Sequence, residues 1–210
     1  MRNVADDHLG HVERALYLCA AMTGLRQGEL LGLRWADIDW TAGRVRVADN
    51  FTRGQIDSPK SHHGRSVPLA DALAGELERL YQRSPFQADD ALVFSHPHTG
   101  NPLDPSKLRK RCKRALKRAA APEITFHELR HTFGTQLAAA GVPLRTIQEW
   151  MGHADAKTTE IYSHYAPDPS RGADLIGRAF RSPDRAPRAN APTQKSERRL
   201  PTSMSGGTHA

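Results

Sequence analysis

One change of hydrophobic period limits the fold of this chain more than any other feature. Up to residue 33, apolar side chains recur three and four apart, at Leu9, Val12, Leu16 and Cys19 and again at Leu30 and Leu33, with Leu31 beside the last pair. That is the spacing of helices buried on one face, with Thr23 and Gly24 reading as the stop between two of them. At Asp37 the period drops to two. Ile38 and Trp40 alternate with Asp37 and Asp39, residues 41–43 turn the chain, and Val45 and Val47 alternate with Arg44 and Arg46. An antiparallel hairpin is expected. Residues 65–69 (RSVPL) supply a third strand, and their proline suits a sheet edge because it has no N–H to give a ladder. Residues 57–64 make a polar tip before that strand and carry Lys60. Helical spacing then returns with Leu73, Leu77 and Leu80, and residues 92–95 read as a short extended piece. The fold class that follows is mixed, mainly α, with a small three-stranded antiparallel sheet.

A chain of 210 residues can bury one good core, expected over residues 1–180, with a short helix at residues 169–180 resting on Leu175, Ile176 and Phe180. Residues 181–210 are rich in Pro, Arg, Ser, Thr and Gly and hold almost no aliphatic side chain, so a disordered basic tail is expected. Net charge is +7 and the pI about 9.8, which points to an anionic partner. Cys19 and Cys112 lie far apart in unlike surroundings, which is no disulfide framework and fits a reducing compartment. No apolar run approaches membrane-spanning length, and Met1 leads into Asp6 and Asp7 instead of a signal sequence. The expectation is a cytoplasmic protein with no membrane partner, associated with the nucleoid if its partner is DNA.

The charge is concentrated. Asp104 and Pro105 offer an N-cap and a first-turn proline. The helix expected over residues 106–120 has Leu108, Cys112 and Leu116 on one face, and Lys107, Arg109, Lys110, Arg111, Lys113, Arg114, Lys117 and Arg118 elsewhere. The bland reading is a solvated face. So dense a basic helix repels itself unless an anion neutralises it, and stripes at i,i+3/i+4 can reach phosphates on both sides of a groove. No aromatic residues are interleaved, which favours a duplex over stacked single strands. His96 and His98 nearby lack a third metal ligand.

Residues 125–165 hold the chemistry, and they admit two incompatible readings. HELRH (127–131) has the H-E-x-x-H spacing of a zinc peptidase, and the eight residues 127–134 repeat the start of the metzincin pattern. Leu137 then stands where the third histidine belongs, leaving Glu149 as a substitute ligand. Two physical points oppose zinc. Thr125 and Glu128 form a capping box, which gives the glutamate a structural role. Arg130 lies on nearly the same face as both histidines, and a fixed guanidinium beside a dication is unfavourable, whereas beside a phosphate it is useful. The second reading is strand transfer at phosphorus. It needs a nucleophile, cations on the non-bridging oxygens and an acid for the leaving group. Tyr162 can be the nucleophile, Arg26 and Arg130 the clamp, His127 a neighbour one turn from Arg130, His153 a donor and Lys60 an acid. Taken singly, Tyr162 is a packing tyrosine and Arg26 an i,i+3 partner of Glu29 on a solvated face. Together they make a complete set.

At these residues the chain resembles the catalytic domain of the tyrosine recombinase (phage integrase) family. The matching segments are TGLRQGELLGLRWADID (23–39), PKSHHGRSVPL (59–69), HELRHTFGT (127–135) and MGHADAKTTEIYSHYAP (151–167), in the family's order and spacing. The resemblance implies that Arg26 and Arg130 bind the scissile phosphate, that Lys60 protonates the leaving 5′-oxygen and that His127 accepts the nucleophile's proton. It further implies that His153 hydrogen-bonds the phosphate, that Glu29 supports Arg26 and that Tyr162 forms a 3′-phosphotyrosyl link. Because that link conserves bond energy, the family needs neither ATP nor metal, so no cofactor and no small-molecule substrate are expected. The expected function is site-specific cutting and rejoining of double-stranded DNA, by a homotetramer on the duplex. The family also carries an N-terminal helical DNA-clamping domain, for which the residues before Arg26 leave no room. A truncated or minimal member is therefore expected. A catalytically silent DNA-binding module is the alternative reading, and a zinc peptidase the remote one.

Overall fold

The computed structural model describes residues 9–57 and 64–167. Helix α1 (Gly10–Thr23) is the centre of the described fold, with Ala15, Leu16, Cys19 and Ala20 fully buried. It packs against α3 (Asp71–Arg83) on one side and α5 (Phe126–Ala139) on the other, where Tyr17 and Phe126 rings lie 5.8 Å apart. Gly24 ends α1 in the left-handed region at φ 63°, and a Cβ there would sit 2.5 Å from the Phe133 ring. Both the backbone twist and the close approach of α5 require glycine at this point. Helix α2 (Gln27–Gly32) follows, burying Leu30 and Leu31 as the spacing predicts.

The sheet joins β1 (Ile38–Asp39), β2 (Arg44–Val47) and β5 (Arg65–Pro68), all antiparallel, in the order β1-β2-β5. Register pairs Ile38 with Val45 and Val45 with Val67, placing the valines on one buried face, and Pro68 lies on an edge strand. The alternation fails at its start. Asp37 is buried in a 3-10 turn (Trp35–Asp37), where its carboxylate accepts the Arg34 N–H at 3.0 Å and Arg46 Nε at 3.2 Å. Trp40 falls on the turn and is 46% exposed.

Between β2 and β5 lies a second hairpin that the hydrophobic pattern does not predict, β3 (Asn50–Thr52) paired with β4 (Gln55–Asp57). Its turn residues Arg53 and Gly54 both have positive φ, the geometry of a two-residue hairpin loop. Strands of three residues are too short for a periodicity, and arginine is a poor marker for such a turn. Residues 92–95 form isolated bridges, Leu92 to Arg34 and Ser95 to Pro102, and no ladder. The remaining helices are α4 (Pro105–Arg118), α6 (Leu144–Met151) and α7 (Lys157–Glu160), followed by a 3-10 turn at Ser163–Tyr165. Asp104 caps α4 as expected, its carboxylate accepting the Ser106 and Lys107 N–H groups at 2.7 and 3.0 Å. Both cysteines are buried and free. Among the described residues no helix is long and apolar enough to cross a membrane. The expected tip carrying Lys60, the helix at 169–180 and the tail at 181–210 lie outside the described residues.

Candidate active site

The last carbonyls of an α-helix have no partner within it and carry the negative end of the helix dipole. At the end of α6 three successive carbonyls each accept a guanidinium from a different part of the chain. Arg65 Nε donates to Trp150 O at 2.8 Å, Arg130 Nη2 donates to Met151 O, and Arg26 Nη2 donates to Gly152 O at 3.3 Å. Gly152 makes this possible. Its φ of 64° turns the chain away, and a Cβ there would lie 2.9 Å from Arg65 Cδ.

Three guanidiniums so close need a counter-charge, and Glu29 supplies it from α2. Arg65 forks onto this carboxylate with Nη1 to Oε1 at 2.8 Å and Nη2 to Oε2 at 2.7 Å, the geometry of a strong bidentate pair. Arg26 adds Nη1 to Oε1 at 3.0 Å and its backbone N–H to Oε2 at 2.7 Å. Burial raises the Glu29 pKa, but the Arg65 fork and Arg26 more than offset this and hold the carboxyl below its usual range. Arg26 and Glu29, expected as partners, are thus in contact. Arg65, absent from the sequence-derived site, takes the larger share of that carboxylate.

Arg130 projects from α5, whose start is fixed by the expected capping box: Glu128 N–H to Thr125 Oγ1 at 3.2 Å and Thr125 N–H to Glu128 Oε2 at 2.6 Å. Its side chain is buried, with Nη1 donating to Gly24 O and Nη2 to Met151 O. Burial first, then the charge of Arg26, pushes its pKa down to about 10, which leaves it cationic at neutral pH. Three cations against one carboxylate leave an excess of positive charge. A cavity of about 270 Å³ opens onto it, lined by Arg26, Gln27, Arg109, Thr125, Phe126, His127 and Arg130. Such a pocket suits a bound anion. Arg26, its side chain half exposed, faces it together with His127.

His153 follows Gly152. Its Nδ1 lies 2.9 Å from the Oγ1 of buried Thr159. Burial, then Arg130, Arg26 and Arg65, push its pKa down to about 4, so the ring is neutral at physiological pH. Tyr162 is buried, with its ring lying over Gly134: a Cβ there would be 2.4 Å from Tyr162 Cζ. The His131 ring rests 5.1 Å from the Tyr162 ring, tilted against it. Burial raises the Tyr162 pKa, and Arg130 opposes this. Arg26, Glu29, His127, Arg130 and His153 are therefore drawn together, and Tyr162 lies within electrostatic reach of Arg130.

The basic helix needs one correction. Lys107, Arg109, Lys110, Lys113, Arg114, Lys117 and Arg118 are exposed. Arg111 instead turns inward onto buried Glu13, with Nε on Oε1 and Nη2 on Oε2 at 3.2 Å. A charge in α1 that periodicity does not flag captures it. Lys113 also pairs with Glu123 at 2.8 Å, with both side chains exposed. Among the described residues no three His, Cys, Asp or Glu side chains are grouped as metal ligands.

Comparison with known proteins places this arrangement in context. The phage integrase family model matches residues 1–168. A tyrosine recombinase XerC-like protein of Caldanaerobacter subterraneus subsp. tengcongensis is 37% identical, over 75% of this chain and 47% of its own length. Tyrosine recombinase XerC of Pseudomonas aeruginosa is 34% identical, over 77% of this chain and 50% of its own length. The chain thus spans about half the length of these curated relatives. Among solved structures, the Tn1549 transposon integrase in complex with circular intermediate DNA superposes with a TM-score of 0.68 at 26% identity, covering 84% of this chain and 63% of that one. The XerH site-specific recombinase bound to palindromic difH substrate, in a post-cleavage complex, gives 0.62 at 25% identity, covering 83% and 48%.

Proposed function

The chain belongs to the phage integrase family, and we propose that it cuts and rejoins double-stranded DNA at a specific site through Tyr162. The observation that carries this reading is the collection of Arg26, Arg65 and Arg130 on three consecutive carbonyls of one helix end, beside the Tyr162 ring. The DNA complexes of the two solved relatives support DNA as the substrate.

In this reading Arg26 and Arg130 grip the non-bridging oxygens of the scissile phosphate, and the neutral ring of His153 donates to one of them. The Tyr162 oxygen attacks phosphorus, its proton passing to His127. As the new P–O bond forms, the bond to the 5′-oxygen breaks, and Lys60 protonates that oxygen. The product is a 3′-phosphotyrosyl link and a free 5′-hydroxyl. A 5′-hydroxyl from a second strand reverses the step and reseals the DNA, so no nucleotide is consumed. Burial keeps the Tyr162 phenol protonated at neutral pH, so it depends on this proton acceptor and on the clamp. Lys107, Arg109, Lys110, Lys113, Arg114, Lys117 and Arg118 track the flanking phosphates. The resemblance extends the reading to a homotetramer on DNA in the cytoplasm.

Incubation with a pool of nicked suicide duplexes of randomised core, followed by denaturing electrophoresis, tests the proposal. Wild-type chain yields a covalent adduct that persists in chelator, and Tyr162→Phe yields none. Arg130→Ala lowers the rate by about 10²–10³, the cost of losing an oxyanion donor. An adduct that survives Tyr162→Phe, or that chelator abolishes, overturns the assignment.

A further inference from the structure

We propose that Thr159 is a positioning residue that fixes the His153 ring with its proton on Nε2 and holds Tyr162 in the same turn of chain. This rests on the strand-transfer reading above. The Thr159 side chain is buried, and among the described residues its hydroxyl has one partner, His153 Nδ1 at 2.9 Å. A hydroxyl carries one proton, and a buried one left without an acceptor is costly. If Nδ1 held the imidazole proton and donated it, the Thr159 proton would be stranded. If Thr159 donates, both groups are satisfied and the ring proton must sit on Nε2. That atom, on the far edge of the ring, is then a donor.

The choice matters because phosphate oxygens only accept. A neutral imidazole with a bare Nε2 would repel them, and a cationic one is disfavoured here. Arg130 and His127 from α5, Arg26 at the start of α2 and Arg65 from β5 all bear on this ring. The tautomer therefore decides whether His153 helps or hinders. The same residue reaches the nucleophile: the Tyr162 N–H donates to the Thr159 carbonyl at 3.0 Å. Helix α7 is only four residues long, and this bond carries the chain from its end to Tyr162. One threonine thus ties the phosphate donor to the attacking group.

Ring ¹⁵N spectra of the full chain read the tautomer directly, with the His153 signals identified by their loss in His153→Gln. Wild type shows the Nε2–H form from pH 6 to pH 8. Thr159→Val keeps the shape, shows both tautomers and forms adduct more slowly by about 10–100-fold, by analogy with a metal-ligating histidine that loses its orienting partner. Thr159→Ser, which retains the hydroxyl, recovers most of that rate. An Nδ1–H form in wild type overturns the proposal whether or not the valine variant folds. So does a valine variant with the wild-type tautomer and rate. Failure of wild-type chain to form any adduct would instead count against the strand-transfer reading, while the spectra still report on Thr159.

Discussion

Tyr162 lies where a single added methyl group would displace it. Its ring occupies the space over Gly134, so Gly134→Ala puts a Cβ inside the ring's van der Waals distance, although alanine is the better helix former. The expected outcome is overpacking that costs about 1–3 kcal/mol in denaturant melts, with a larger fall in adduct formation than in stability. Unchanged cleavage in this variant would show that the ring leaves that position before it reacts. His153 makes a second residue-scale prediction. Its folded pKa of about 4 lies below the roughly 6.5 of an unfolded histidine, so between these values the unfolded chain binds the extra proton. Its contribution to stability is therefore complete above about pH 6.5 and is lost as pH falls towards 4. His153→Gln should flatten the stability profile in that window and leave it unchanged above. The capping box and the histidine are legible in the sequence because they are local. Arg65 on Glu29 is not, since residues 36 apart meet only in the folded chain, where the Arg65 side chain reaches from the start of β5 to the carboxylate on α2. Thr159 is hidden for a different reason: its neighbour Thr158 is chemically identical and exposed.

Helix α4 separates two kinds of arginine that look alike in sequence. Lys107, Lys110 and Arg114 are exposed, whereas Arg111 is held by buried Glu13. Replacing the first three together by glutamine should reduce the slope of log binding constant against log salt by about 0.9 for each phosphate that is no longer neutralised. Arg111→Gln should leave the slope nearly unchanged and lower stability by about 3–5 kcal/mol, because it strands a buried carboxylate. Titrations on duplex DNA at several salt concentrations, with a denaturant melt of each variant, distinguish the two. A basic helix announces itself by composition, but which face it turns inward depends on a partner 98 residues away. The sheet is legible where Val45 and Val47 keep a strict alternation along β2 and pair with the strand that carries Val67. It is not legible at Asp37 and Trp40, because a buried carboxylate with two donors and an exposed turn tryptophan both break the hydrophobic rule.

At the scale of the molecule, the site is assembled from five places in the chain: the start of α2, the start of β5, α5, the end of α6 and the turn after α7. No local segment contains it. The order of its motifs is nevertheless readable, because each motif brings one piece of chemistry and their combination has few uses. The chain covers about half the length of its curated relatives, and residues 1–168, matched by the family model, include the whole arginine cluster. The net charge of +7 is consistent with a polyanionic partner, and under the proposed function the arginines gathered at the end of α6 would orient one of its phosphates. The most direct measurement of the central claim is mass spectrometry of the protease-digested adduct from a trapped duplex. The peptide containing Tyr162 should carry a nucleotide joined through its 3′-phosphate, and no other peptide should be modified. A nucleotide on another residue, or a link through a 5′-phosphate, would contradict the account.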